Sequence, residues 1–477
     1  MKKAKKGILV FCLFLMLILV FLIPYNAKMA EPDSRFGINA FVLNRYNWEE
    51  WDKPINLLKD LRVNWTREEF IWKQIEPEKG KYDWTFYDRA FEKISGSNIN
   101  VLGIIDYSAP WATDDPNRAD ADKYMPNPDD WRDYVGKVVE RYGNKVKYWQ
   151  IWNEPNLSVF FKPEPDAGKY VELLKIASQE IRLRDGNAKV VLGGLSGVDV
   201  GYLGELKSLG AGEYFDIIAL HPYRFDFKSP PESGGFMDDL KKAEKASEDF
   251  NNKNIWFTEF GWPTDATEGV SEDIQAKFLA RTYLMSFAFP NVKKLFWYDF
   301  RDDGYNKSYR EDNFGLVKRD YTKKSSYLAY KNLINILEYS EFDKMNISKN
   351  GEIYDFFFRK NGSTIRVIWK IGGNDTVKID DSDGKLKVFN TFGTEIPSST
   401  ANGEAREITI SDFPIFIVSN GGSVENEVSY GLYYDYEFVS QSSYVSIKND
   451  EEQEVWVQLK NTGNTHWRKS DRNDVML

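Results

Sequence analysis

Between Phe36 and Tyr298 the chain switches repeatedly between two hydrophobic periods. Short apolar runs at Phe36–Ala40, Arg62–Thr66, Asn100–Ile105, Val146–Trp152, Lys189–Gly193, Phe215–Leu220, Ile255–Thr258 and Lys294–Tyr298 read as strands. Helical patterns fall between several of them, at Trp131–Tyr142, Gly168–Leu183, Phe236–Phe250 and Ile274–Ala288. Strand and helix by turns require a parallel sheet with helices on its faces. Eight such units followed by a closing helix at Lys324–Leu337 imply an α/β chain built on a (β/α)8 TIM barrel. A doubly wound sheet is the alternative, and no Gly-rich phosphate turn follows the first strand.

Strand ends are where such folds place chemistry. The fourth run, Val146–Trp152, leads through Asn153 to Glu154 and is stopped by Pro155. The seventh, Ile255–Thr258, leads to Glu259 and is punctuated by Gly261 and Pro263. Strands four and seven are not neighbours, so the two carboxylates can face each other across the barrel mouth. Two facing carboxylates are what cleavage of a glycosidic bond needs, one to protonate the leaving oxygen and one to attack the sugar carbon.

Composition closes off other classes. The net charge is −10 and five lysines sit in the first 30 residues, so the remainder is more acidic still. That argues against nucleic acid and anionic membrane surfaces as partners. The one cysteine, Cys12, lies in the leader, and His221 and His466 are the only histidines. Thiol chemistry, disulfides and a multi-His metal site are therefore not expected, and neither a metal nor a cofactor is.

Residues 1–30 combine Lys2, Lys3, Lys5 and Lys6 with an apolar run from Ile8 to Ile23. This is the pattern of a signal peptide or an uncleaved signal anchor, and it implies export to an extracellular or cell-surface place. Any membrane attachment would run through this segment alone. Residues 31–338 read as the barrel. Residues 339–419 read as a small β-sandwich, in which Ile353–Lys360 and Ser363–Trp369 flank the hairpin signal Asn361-Gly362. Residues 420–477 read as a linker, Asn420-Gly421-Gly422-Ser423, and an incomplete immunoglobulin-like β module.

The stretches Trp152-Asn153-Glu154-Pro155-Asn156 and Thr258-Glu259-Phe260-Gly261-Trp262 resemble the catalytic motifs of the clan of (β/α)8 retaining glycoside hydrolases, above all family 39 and related cellulase-like cores. The resemblance covers about Arg35 to Leu337 and extends loosely over the small sandwich. It implies that Glu154 is the general acid/base and Glu259 the nucleophile, so that Glu154 must hold a proton at rest while Glu259 stays ionised. Arg67, just beyond strand two, matches the clan's strand-two arginine and would hold Glu259 charged. His221 and Tyr223 end strand six, where the clan has a His and a Tyr that serves the nucleophile. Asn153 would hydrogen-bond the sugar 2-hydroxyl, Trp297 would form the floor under the sugar, and Trp111 and Tyr107 would line the cleft. Asp299, Arg301, Asp302 and Asp303 form a charged loop expected to be mostly solvated.

The expected activity is a monomeric retaining hydrolase of β-linked glycosides, with an oligo- or polysaccharide as substrate. A non-catalytic carbohydrate-binding barrel and a transglycosidase are the alternatives.

Overall fold

The computed structural model describes residues 34–224, 226–348, 350–379, 381, 384–397, 405–420 and 424, and the backbone of strands at 436–441 and 457–461. The expected leader, and the C-terminal module apart from those two strands, lie outside the described residues. Among the described residues no helix is long and apolar enough to cross a membrane.

The strands β1 (Phe36–Asn39), β2 (Trp65–Ile71), β3 (Asn100–Asp106), β4 (Tyr148–Ile151) and β5 (Lys189–Val191) pair in parallel in chain order. A two-residue strand, β6 (Leu195–Ser196), adds on to β7 (Ile217–His221), which continues to β8 (Asn254–Phe260) and β9 (Val292–Trp297). β1 pairs with β9, and β5 meets β7 at Val191↔Ile217, so the sheet closes into an eight-stranded parallel barrel with β6 as an appendage. The inward side chains Trp65, Leu102, Val191, Ile217, Ala219, Trp256 and Phe296 fill its base as one cluster. Inside it the Lys294 ammonium sits 4.1 Å from the centre of the Trp65 ring, where the ring's π-face compensates a buried charge.

The outer layer contains α1 (Asp52–Leu61), α2 (Trp72–Ile75), α3 (Thr85–Ser95), α4 (Pro128–Tyr142), α5 (Ala167–Arg184), α6 (Val200–Ser208), α7 (Phe236–Asp249), α8 (Glu272–Phe287) and α9 (Ser325–Leu337). α4 shows why these segments are helical. Asn127 caps it by accepting from the Asp129 and Asp130 amides, Pro128 occupies the first turn, and Trp131, Tyr134, Val135, Val138, Val139 and Tyr142 form one buried stripe.

One strand departs from its expected place. β2 begins at Trp65 and runs to Ile71, five residues beyond the expected end at Thr66. The charged triplet Arg67-Glu68-Glu69 reads as a loop by composition, but here it is strand. Arg67 and Glu68 are buried because each has partners. Glu68 faces away from the mouth, accepting from the Leu43 amide at 2.9 Å and the Thr66 hydroxyl at 2.5 Å.

Burial pushes the Glu68 carboxyl up to about 8 against these donors. The folded state therefore holds a proton that the unfolded chain releases near pH 4.5. Its contribution to stability is full below that pH and is lost as the pH rises through about 8. The melting temperature of the wild type should thus fall more steeply between pH about 5 and about 8 than that of Glu68→Gln. Parallel pH–Tm curves would contradict this.

The charged loop after β9 also differs from expectation, since Asp299, Arg301 and Asp302 are buried. Arg301 lies 4.2 Å from the Tyr46 ring centre and 4.7 Å from that of Tyr321. Asp302 meets the buried Lys324 ammonium at 2.6 Å, and Asp299 meets Arg45 at 3.1 Å. Pairing is what lets these charges leave water.

After α9 the chain is antiparallel. β10 (Glu341–Ile347), β11 (Ile353–Lys360), β12 (Ser363–Lys370), β16 (Ile415–Asn420) and β14 (Leu386–Phe389) form one sheet, and β13 (Asp375–Ile379) pairs with β15 (Arg406–Ile410) in another. Asn361 and Gly362, at φ 51° and 79°, make the tight turn between β11 and β12. The first sheet packs on the barrel through Phe356, Phe358, Val367, Trp369 and Phe416, which share the barrel's hydrophobic cluster.

Candidate active site

At the C-terminal mouth of the barrel, β4 ends at Ile151 and the backbone turns abruptly. Trp152 and Glu154 stand at φ 71° and 45°, in the left-handed region that non-glycine residues avoid. Anchors hold the turn. The Trp152 indole donates to the Phe160 carbonyl at 2.9 Å, and the Glu154 amide donates to the Gly194 carbonyl at 3.0 Å. Local strain of this sort persists only where the surroundings over-determine it. The result aims the Glu154 carboxylate at the centre of the mouth, nearly buried at 7% exposure.

Glu259, near the end of β8, points to the same place. One oxygen each of Glu154 and Glu259 and a ring nitrogen of His221 lie within 4.8 Å of one another. His221, last residue of β7 and fully buried, places Nδ1 at 2.9 Å from Glu154 Oε1 and 3.7 Å from Glu259 Oε2, while Nε2 lies 3.0 Å from the Thr258 hydroxyl. Gly194 makes room for it: a Cβ there would stand 2.0 Å from Nε2.

Arg67 projects from β2 into the mouth and is fully buried. Its Nη1 donates to Glu259 Oε1 and, at 3.0 Å, to Asn39 Oδ1. Its Nε reaches Gln150 Oε1 at 3.0 Å, and its Nη2 reaches Asn153 Oδ1 at 2.8 Å. One guanidinium thus ties β1, β2, β4, the turn after it and β8 together. Tyr223 donates its hydroxyl to Glu259 Oε2 at 3.1 Å.

The electrostatics follow. Burial raises the Glu259 carboxyl, but the His221 ring, the Arg67 guanidinium and the Tyr223 hydroxyl outweigh it and leave the group below its ordinary range. Burial, then the charge of Glu259, pushes the Tyr223 hydroxyl well above its ordinary range, so it keeps its proton and donates.

Glu154, Asn153, Arg67, His221, Tyr223 and Glu259 are therefore brought together. Trp297 and Trp111 are not. Trp297 ends β9 with no exposed surface, its ring 6.2 Å from that of Trp262 and 5.5 Å from that of Phe260, so the ring offers no face for a sugar to stack on here. Trp111 packs edge-on against Trp72 and gives its indole N–H to the Glu76 carbonyl at 2.9 Å. Tyr107 is half-buried beside Asn153, its ring edge-on to Trp152 at 5.3 Å.

Asn39, Gln150, Thr258 and Asp106 escaped the sequence reading. Each is a polar residue on an inward strand position near the C-terminal end, and that alternation is the signal that would find them. Asp106, last in β3, is buried with neither carboxyl oxygen hydrogen-bonded among the described residues. Burial, then the charge of Glu69, pushes it well above the ordinary range.

By type, Glu154, His221 and Glu259 could hold a divalent ion. The Arg67 guanidinium on Glu259, however, puts a fixed positive charge where the ion would sit. His221 also has both ring nitrogens within hydrogen-bonding distance of Glu154 and Thr258. The set suits the handling of protons and of a developing positive charge better than it suits metal coordination.

The family described as Beta-galactosidase matches residues 41–105, and that described as Glycosyl hydrolase catalytic core matches residues 117–318. A beta-xylosidase of Caldicellulosiruptor saccharolyticus is 28% identical over 253 residues, 48% of this chain and 48% of that protein. The beta-galactosidase BbgII of Bifidobacterium bifidum is 43% identical over 79 residues, 16% of this chain and 11% of that protein. The chain thus spans half or less of these relatives' length. In fold it is similar to a family 39 glycoside hydrolase of Bacteroides cellulosilyticus WH2, with TM-score 0.67 and 24% identity, covering 81% of this chain and 80% of that one. A family 39 beta-xylosidase of Caulobacter crescentus matches with TM-score 0.59 and 16% identity, covering 82% and 97%. The curated proteins this chain resembles in sequence are glycosidases by name, and over about four fifths of its length its fold is similar to that of family 39 glycoside hydrolases.

Proposed function

We propose that the chain is a retaining β-glycosidase that works by double displacement. The observation that carries this reading is the approach of Glu154 and Glu259, with one oxygen of each inside 4.8 Å. Retaining enzymes hold their carboxyls about 5–5.5 Å apart, whereas inverting ones leave about 6.5–9.5 Å for a water. Glu259, held ionised by Arg67 and Tyr223, attacks the anomeric carbon. Glu154 protonates the departing oxygen, then takes the proton from the water that cleaves the glycosyl–Glu259 ester. His221, within reach of both carboxyls, orients Glu154 between the two steps.

Asn153 Oδ1 accepts from Arg67, so its amide N–H groups are what it offers a 2-hydroxyl. Such a bond strengthens in the transition state. Names among the relatives, beta-xylosidase and beta-galactosidase, favour β-linked xylose or galactose as the glycone. Export is part of the proposal, on the lysine-rich apolar leader.

The test is hydrolysis of aryl β-xylosides and β-galactosides by the full chain. Release of the phenol from at least one is expected, and inertness toward a panel of aryl β-glycosides would sink the reading.

A further inference from the structure

Tyr223 belongs to the segment between β7 and α7, and the far end of that segment is fastened to the β-sheet domain rather than to the barrel alone. The Glu232 carboxylate, with its side chain 1% exposed, accepts the Trp369 indole N–H of β12 at 2.8 Å. It also pairs with Arg281 of α8 at 3.3 Å. Arg281, itself buried, donates Nε to the Asp412 carbonyl of the sheet domain at 2.9 Å. Trp369 is held flat between Tyr354 and Phe356, each 5.1 Å away centre to centre and inclined by 7° and 15°. A buried carboxylate on a rigid ring and a buried guanidinium has little freedom to move.

The segment transmits that anchorage. Arg224 joins its two ends, donating to the Gly234 carbonyl at 2.8 Å and the Pro222 carbonyl at 3.3 Å, and it pairs with Asp239 of α7. Pro222 adjoins Tyr223, whose hydroxyl reaches Glu259. We infer that the β-sheet domain is a working part of the active site, with Glu232 and Trp369 as positioning residues that act on Glu259 through Tyr223. This rests on the glycosidase reading above.

Trp369→Phe keeps an aromatic ring against Tyr354 and Phe356 but removes the N–H together with part of the indole's volume. In the full chain it should speed amide hydrogen exchange in peptides covering 222–235. It should lower kcat on an aryl β-glycoside by about fivefold with little change in KM, the scale of one lost buried hydrogen bond. The acid limb of the kcat/KM profile should move to higher pH, because Glu259 loses part of its donor set. In a Tyr223→Phe background, Trp369→Phe should have no further effect on rate or acid limb.

A variant that melts earlier but keeps the wild-type kcat and acid limb would overturn the inference, as would effects that add fully to those of Tyr223→Phe. If the wild type proved inert on every glycoside, the glycosidase reading would fail. Hydrogen exchange would then decide the tether by itself: faster exchange reaching Tyr223 upholds it, and unchanged exchange refutes it.

Discussion

Glu259→Ala should leave no more than about one part in 10⁴ of the wild-type turnover of an aryl β-glycoside, the scale seen when a covalent nucleophile is removed. Two effects combine. The covalent route is lost, and Arg67, buried and built around Glu259, is left with a cation missing its carboxylate. Breaking a buried ion pair from one side typically costs about 3–5 kcal/mol. The variant should therefore also be less stable, even though the Asn39, Gln150 and Asn153 oxygens still accept from the guanidinium. Glu259→Gln separates the two losses. It keeps an acceptor for Arg67 and should stay folded while being as inactive as the alanine variant. If Glu259→Gln retained a tenth of the wild-type rate, the nucleophile would have to be sought elsewhere.

Glu154→Gln should behave differently, because proton donation matters in proportion to how poor the leaving group is. With an alkyl or electron-rich phenyl glycoside, kcat/KM should fall by about 10²–10⁴-fold. With a dinitrophenyl glycoside, whose phenolate leaves unaided, kcat/KM should stay within about tenfold of wild type, since it reports only the first step. The second step still lacks its base, so kcat should be low for both substrates, and with the dinitrophenyl glycoside alone a burst of phenolate should precede it. Equal losses in kcat/KM for good and poor leaving groups would show that Glu154 is not the acid.

What could be read from the sequence divides along physical lines. The barrel was legible because buried parallel strands are nearly continuous apolar runs and their helices carry an apolar stripe, as in Asn100–Asp106 and Pro128–Tyr142. The carboxylates stood out because each follows such a run and is itself followed by Gly or Pro. The reach of β2 through Arg67, Glu68 and Glu69 was not legible. Those residues are polar by composition, and only the partners that other strands bring to them make burial affordable. The same cause hid the buried Asp299, Arg301 and Asp302. β10 and β13 were missed because Glu341–Ile347 and Asp375–Ile379 carry charges on their open faces and look like turns. For the tryptophans, burial separates two meanings that spacing cannot: Trp297 is packed away from the mouth and Trp111 is engaged with Glu76.

The central claim is that a single sugar becomes bonded to Glu259 in the hollow it shares with Glu154. Its most direct test is the mass of the full chain after incubation with a 2-fluoro aryl β-glycoside, which slows breakdown of the covalent adduct more than its formation. The double-displacement reading expects a gain of one fluorosugar, located by peptide mapping to the segment containing Glu259 and absent from Glu259→Gln. A chain that hydrolyses the parent glycoside, gains no mass and releases a sugar of inverted anomeric configuration would contradict it.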